Sequence, residues 1–306
     1  MIPLSTTLAL LLGCEITQLD SASIVDRTRI LGVKATPAEP APGDTVTFSS
    51  LAVDPESGIA GVTWFGCVLE DSDSFGCELD TDTLEALFAQ DPTTMTAQEQ
   101  QDWYAELQAA GFLGIEPDLS PTLTVPSDLL DGLSEEQQAE GKNYMLTLSA
   151  IPGGLEIDDL DLDAEGTQAV GEQGLKRMPV SVGGTPNRNP EITSLTLDGE
   201  FDVKDQDVLE VRAGQTYTFQ LNLSDDSVET YTFVDSQGAS EDRMEQPYVS
   251  FYATTGSFYQ TISLHPYLEA EWTAPIDPPG ESHTLWFVLR DRRGGMDWVT
   301  VELLVR

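Results

Sequence analysis

The sequence predicts an all-β protein of two tandem β-sandwich domains, the first with a helical insertion. Three observations predict it. A strand, glycine turn, strand, acidic turn pattern occurs twice, at Pro42-Gly43-Asp44-Thr45-Val46-Thr47-Phe48 and at Ala213-Gly214-Gln215-Thr216-Tyr217-Thr218-Phe219, and self-similarity at that spacing marks related domains in tandem. Apolar and polar residues alternate through the strands, as at Tyr217, Phe219, Leu221 and Leu223. That period gives one buried and one wet face. Between Thr83 and Gly141 the period is replaced by helix-capping signatures.

Residues 1–13 read as a signal peptide. The apolar run Leu8–Leu12 is far short of the about 20 residues a membrane span needs and suits a signal-peptide core. Leu11-Leu12-Gly13-Cys14 resembles a bacterial lipobox, although Leu12 is bulkier than usual there and Met1–Thr7 carries no Lys or Arg. The resemblance implies cleavage before Cys14, a diacylglycerol on its sulfur, and a protein held on a membrane by that lipid. The competing reading packs the apolar segment and Cys14 into a core. Residues 14–27 are polar and without period, a flexible tether.

The first domain is expected over 28–183. Arg29–Ala35 and Val46–Phe48 are strands, and Asp54-Pro55 is the acidic turn. Gly61–Leu69 is a strand carrying Trp64. Thr96-Ala97-Gln98-Glu99 is a capping box, with Trp103 and Leu107 on one helix face and Gly111 as its stop; Ser134-Glu135-Glu136-Gln137 repeats the signature before Gly141. The helical insertion is therefore placed at about 83–141. Strands resume at Tyr144–Ile151 and Leu175–Val182. Residues 184–189, within a stretch rich in Gly, Pro and Asn, form a linker. The second domain spans 190–306, from Ile192–Leu197 to a closing hairpin of Thr284–Leu289 and Trp298–Val305.

Composition narrows the function. With 53 acidic against 14 basic side chains the 306-residue chain has a net charge of −39, which repels nucleic-acid phosphates and excludes nucleic acid as a partner. The acid excess suits either high ionic strength or simple solubility. Of three cysteines, removing Cys14 leaves Cys67 and Cys77, an even pair that reads as a disulfide in an oxidising compartment. A metal site there lacks nearby histidines and C-x-x-C spacing.

Candidate chemistry is sparse. Asp159, Asp161 and Asp163 alternate like calcium ligands, but Ala164 and Val170 stand where an EF-hand requires Gly and Glu; a solvated acidic loop over 156–165 is the default. His265 and His283 have no nucleophile motif nearby. Tyr248, Phe251, Tyr252, Phe258, Tyr259 and Tyr267 form either a sugar-stacking platform or sandwich core. Arg290, Arg292 and Arg293 either bind an acidic partner or pair with neighbouring carboxylates. No cofactor, metal or catalytic residue is expected.

Trp64 resembles the core tryptophan of immunoglobulin-like sandwiches. The run Thr28–Asp54, with Arg29-Ile30-Leu31-Gly32-Val33 and Ala41-Pro42-Gly43-Asp44-Thr45-Val46, resembles the first domain of predicted lipoproteins of gliding bacteria, as do the lipobox and Trp64-x-x-Cys67. Arg290-Asp291-Arg292-Arg293-Gly294-Gly295 resembles a turn of bacterial immunoglobulin-like and PKD-like extracellular domains. These resemblances imply a cell-envelope protein, at the outer membrane, that binds, adheres or scaffolds through an envelope protein or a glycan. A carbohydrate-binding surface protein is the alternative, and a carboxylate-dependent hydrolase the second alternative.

Overall fold

The computed structural model describes residues 22–69, 81–154, 171–205, 207–234, 239–277 and 282–306. The leader, Cys14, Cys77 and the acidic stretch 156–165 lie outside them. The first domain contains β1 (Arg29–Thr36), β2 (Thr45–Val53), β3 (Ile59–Val68), α1 (Thr81–Phe88), α2 (Ala97–Ala109), β4 (Phe112–Glu116), β5 (Thr122–Thr124), α3 (Glu135–Glu140), β6 (Lys142–Pro152) and β7 (Glu172–Val180). The second contains β8 (Ile192–Leu197), β9 (Phe201–Val203), β10 (Asp207–Val211), β11 (Thr216–Leu223), β12 (Thr230–Val234), β13 (Ser240–Met244), β14 (Tyr248–Ala253), β15 (Ser257–Phe258), β16 (Ile262–Leu264), β17 (Glu269–Thr273), β18 (Ser282–Arg290) and β19 (Met296–Val305).

Each domain is a two-sheet β-sandwich. In the first, the sheet β1-β2-β5 faces β4-β3-β6-β7. Val33, Ala35 and Phe48 from one sheet meet Trp64, Leu146, Leu148 and Met178 from the other. Trp64 is fully buried, stacks on Phe48 at 5.7 Å and donates its indole N–H to Glu116 at 3.1 Å, as a buried indole requires. In the second domain β10-β19-β18-β14-β16 faces β15-β17-β11-β8-β9. Val299, Val301, Leu303 and Val305 all point into its core, opposite Phe219 and Trp272, as their alternation predicts.

The sequence repeat is a structural repeat. β1 pairs antiparallel with β2, and β8 with β11. The acidic turn after β2 works through its side chain: Asp54 Oδ1 accepts the backbone N–H of Glu56 and Ser57.

Two expectations need correction. The insertion is not wholly helical. Both capping boxes form, and Leu84, Leu87, Leu107 and Phe112 make a small core of their own. But β4 joins the sheet of β3, and β5 the sheet of β2, because Phe112-Leu113 finds buried space beside Phe65 and Leu146. The tether does not run free to residue 27. Ser23 and Val25 are buried, and Ile24 bridges to Ala253. Within the linker, Asn187 is buried and its side-chain amide donates to Asp291.

Candidate functional site

The two sandwiches are locked together. Strand β18 contains the unbroken apolar run Leu285-Trp286-Phe287-Val288-Leu289. Its odd-numbered members enter the core of the second domain. Trp286 and Val288 point the other way and pack with Val25 and Leu31, flanked by Leu51, Val53, Tyr252 and Trp298. Gly32 permits this approach: a Cβ there would lie 3.1 Å from the Trp298 ring.

A polar cluster borders the apolar junction, and the closing hairpin builds it. Asp291 Oδ1 accepts the backbone N–H of Arg293, Gly294 and Gly295 at 2.7, 2.9 and 3.0 Å. Gly295 is required, since a Cβ would fall 2.1 Å from Asp291 Oδ2. The turn aims Arg293 inward. Its guanidinium meets Glu39 of the first domain at 3.3 Å, and Glu245 and Glu229 of the second at 3.1 and 3.5 Å. It lies 4.5 Å from the Tyr231 ring centroid. Glu39 also accepts from Ser181 and from the Asn187 backbone. Arg290 donates to the carbonyl of Leu31 at 2.6 Å, and Lys34 to Asp297 at 2.9 Å. Of the three arginines, Arg293 pairs with carboxylates of its own chain, Arg290 donates to the Leu31 carbonyl and the Ser250 hydroxyl, and Arg292 is exposed.

Burial sets the protonation of this cluster. It raises Glu245, and the nearby Asp291 charge adds to the rise. It also raises Asp291, against the hydrogen bonds from Asn187 and the turn. Lys176 of β7 donates to the carbonyl of Gly294, and burial lowers its ammonium to about 8, with Asp291 opposing and Arg290 reinforcing the fall. The unfolded chain holds this proton up to an ordinary lysine value, so between about 8 and 10.5 it binds more protons than the folded state. Stability then rises with pH across that window, by about 3 kcal/mol at full relief. The melting temperature is expected to climb from pH 8 to pH 10, below the range where the raised Tyr144 phenol would titrate. In Lys176→Met the climb should flatten; an identical slope in both proteins would contradict the assignment.

The aromatic platform does not assemble. Phe251 is core, against Phe258 at 5.5 Å and Phe287 at 5.9 Å. Tyr252 flanks the junction. Tyr248 lies near Arg290 and Arg292. Tyr259 and Tyr267 remain, 85% and 76% exposed. Ile262 and Leu264, also exposed, lie between them on the edge strand β16. The backbone here is well held: Tyr259 donates to Glu271, Tyr267 to Leu264, and the Ser263 hydroxyl to Tyr267. A groove of about 390 Å³ runs alongside, lined by Asn222, Ser224, Asp225, Val228, His265 and Pro266 among others.

This edge belongs to a segment that composition singles out and motif searching misses. Gln246–Leu268 contains no Asp, Glu, Lys or Arg, in a chain where 22% of residues are charged. His265 lies in this segment, at the end of β16, and His283 is buried at the start of β18. The two occupy opposite ends of the sheet. Cys67 is on β3 opposite Met145. Among the described residues no cluster of metal-ligating side chains occurs and no helix is long and apolar enough to cross a membrane.

No protein-family model matches the chain and no curated sequence matches it. Similar solved structures include the two tandem V-type regions of VCBP3, a v-region-containing chitin binding protein, at 12% identity and TM-score 0.28, covering 90% of this chain and 100% of that one. Murine CEACAM1b is similar at 10% identity and TM-score 0.20, covering 91% and 100%.

Proposed function

We propose that the protein is an exported lipoprotein, anchored through diacylglycerol on Cys14, that serves as a binding or scaffolding module of the cell envelope at the outer membrane. The observation that supports this reading is Leu11-Leu12-Gly13-Cys14 at the end of a short apolar run; Ser23–Val25, nine to eleven residue steps on, is already docked onto the second domain. A Cys67–Cys77 disulfide accompanies the reading and would pin the segment after β3. A hydrolase finds little support. Glu229, Glu245, Asp291 and Glu39 are the carboxylates buried near one another, and arginines or backbone N–H groups occupy all four.

Fatty-acid labelling in the native cells is expected to mark the wild type and to be lost in Cys14→Ala. Equal label in both would refute the anchor. Proximity labelling from the same protein should return envelope proteins; cytoplasmic neighbours alone would refute the location.

A further inference from the structure

We propose that the uncharged edge of the second domain, carrying Tyr259, Ile262, Leu264 and Tyr267, rests on the lipid surface to which the protein is anchored; this rests on the Cys14 lipidation proposed above. The first reason is where the chain joins the folded body. The free edge of β14 is covered from one end by β16, as far as the Phe251 N–H donating to Thr261. Immediately beyond, Ser23 and Val25 bond to Ala253. Phe251 and Ala253 are two residues apart, about 7 Å along a strand. The exposed edge therefore begins beside the point where the anchored segment enters.

The second reason is reach. Nine residue steps lead from Cys14 to Ser23, at most about 32 Å of chain at full extension. A body held that closely presents the side at which its tether attaches.

The third reason is charge. A chain with 53 acidic against 14 basic side chains is repelled by anionic headgroups, and a second copy at −39 repels the first. The segment Gln246–Leu268 itself carries no Asp, Glu, Lys or Arg, and the exposed carboxylates next to it, Glu269 and Glu271, belong to β17. The segment's exposed side chains suit a headgroup boundary: two tyrosine rings with apolar bodies and polar tips, and two aliphatic side chains between them along the chain. The remaining exposed large apolar residues, such as Leu175, Val208 and Met244, fall on separate strands.

The test uses full-length acylated protein on phosphatidylcholine vesicles, with an environment-sensitive dye at Ile262→Cys, at Tyr259→Cys as a second site, and at Leu175→Cys as control. Spin-labelled phosphatidylcholine is expected to quench the dyes at 262 and 259 at least threefold more than the dye at 175. Equal quenching at the three positions, in protein that floats with the vesicles, overturns the inference and leaves the anchor standing. An intact mass without acyl chains overturns the anchor and the inference together. Glycan-array binding that Tyr259→Ala and Tyr267→Ala abolish, combined with equal quenching, assigns the edge to a sugar and overturns contact with lipid.

Discussion

Replacing Arg293 by methionine is expected to destabilise the protein by about 3–5 kcal/mol, the usual cost of stranding a buried charge. The melting temperature should fall by on the order of 10 °C. Methionine keeps much of the stem volume, so the loss is electrostatic. Arg293 is 15% exposed and faces Glu245, whose side chain is 1% exposed, together with Glu229 and Glu39. Without the guanidinium, carboxylates from both domains repel one another in a site that has little water. Glu245 is already raised by burial and by Asp291, and losing the cation would raise it further. A carboxyl raised in the folded state binds its proton there at a pH where the unfolded chain has released it, so stability returns as pH falls through the folded value. The deficit of Arg293→Met should therefore shrink as pH falls from neutral toward the ordinary carboxylate range, and adding Glu245→Gln should recover part of it at neutral pH. Calorimetry across that range decides it. A deficit below about 1 kcal/mol that does not change with pH would mean the carboxylates are solvated and the cluster is not a lock.

Much of the fold is legible in the sequence because its strands obey a period of two. Val299, Val301, Leu303 and Val305 name the core face of β19, and Tyr217, Phe219 and Leu221 that of β11. Asp54 and Asp291 mark turns because a carboxylate that accepts consecutive backbone N–H groups is a local device needing no distant partner. The capping boxes at Thr96 and Ser134 are local too. Strands β4 and β5 are not legible. They are short, they follow helical residues, and only the buried space beside Phe65 makes Phe112-Leu113 extended.

The junction is the larger omission, for a physical reason. Alternation tells which face of a strand is buried against its own sheet partner, not whether the other face is wet. Leu285-Trp286-Phe287-Val288-Leu289 breaks the alternation, and an unbroken apolar run signals burial on both faces; that signal was available. Arg293 was legible as part of a basic turn, with pairing to nearby carboxylates as the default. Which carboxylates was not, since Glu39, Glu229 and Glu245 come from distant points of the chain and share no period with it. The uncharged edge is legible by counting alone: Gln246–Leu268 stands out only against an acidic background, and a search for catalytic motifs passes over it.

Trp286→Ala is expected to separate the two domains rather than merely weaken one. Trp286 is buried in the junction beside Val25, Leu31 and Val288, so truncation removes a large apolar contact, at a cost of about 3–5 kcal/mol. The side chain points away from the second-domain core, so most of the loss falls on the contact between sandwiches. In the wild type that contact is expected to couple their unfolding into one transition. Weakened by this amount, each sandwich should melt at its own temperature, and calorimetry should resolve two peaks. Phe287→Ala, one residue along the same strand, is the control. Phe287 is fully buried in the core against Phe219 and Phe251, and its truncation carries a similar cost. That loss should lower the second domain's own stability without relieving the junction, and because the sandwiches remain coupled, the single transition should move down intact. Two peaks from Trp286→Ala and one from Phe287→Ala would identify β18 as a strand with one face in a fold and the other in a joint. A single shifted peak in both variants would mean that the polar cluster around Arg293 is enough to hold the sandwiches together.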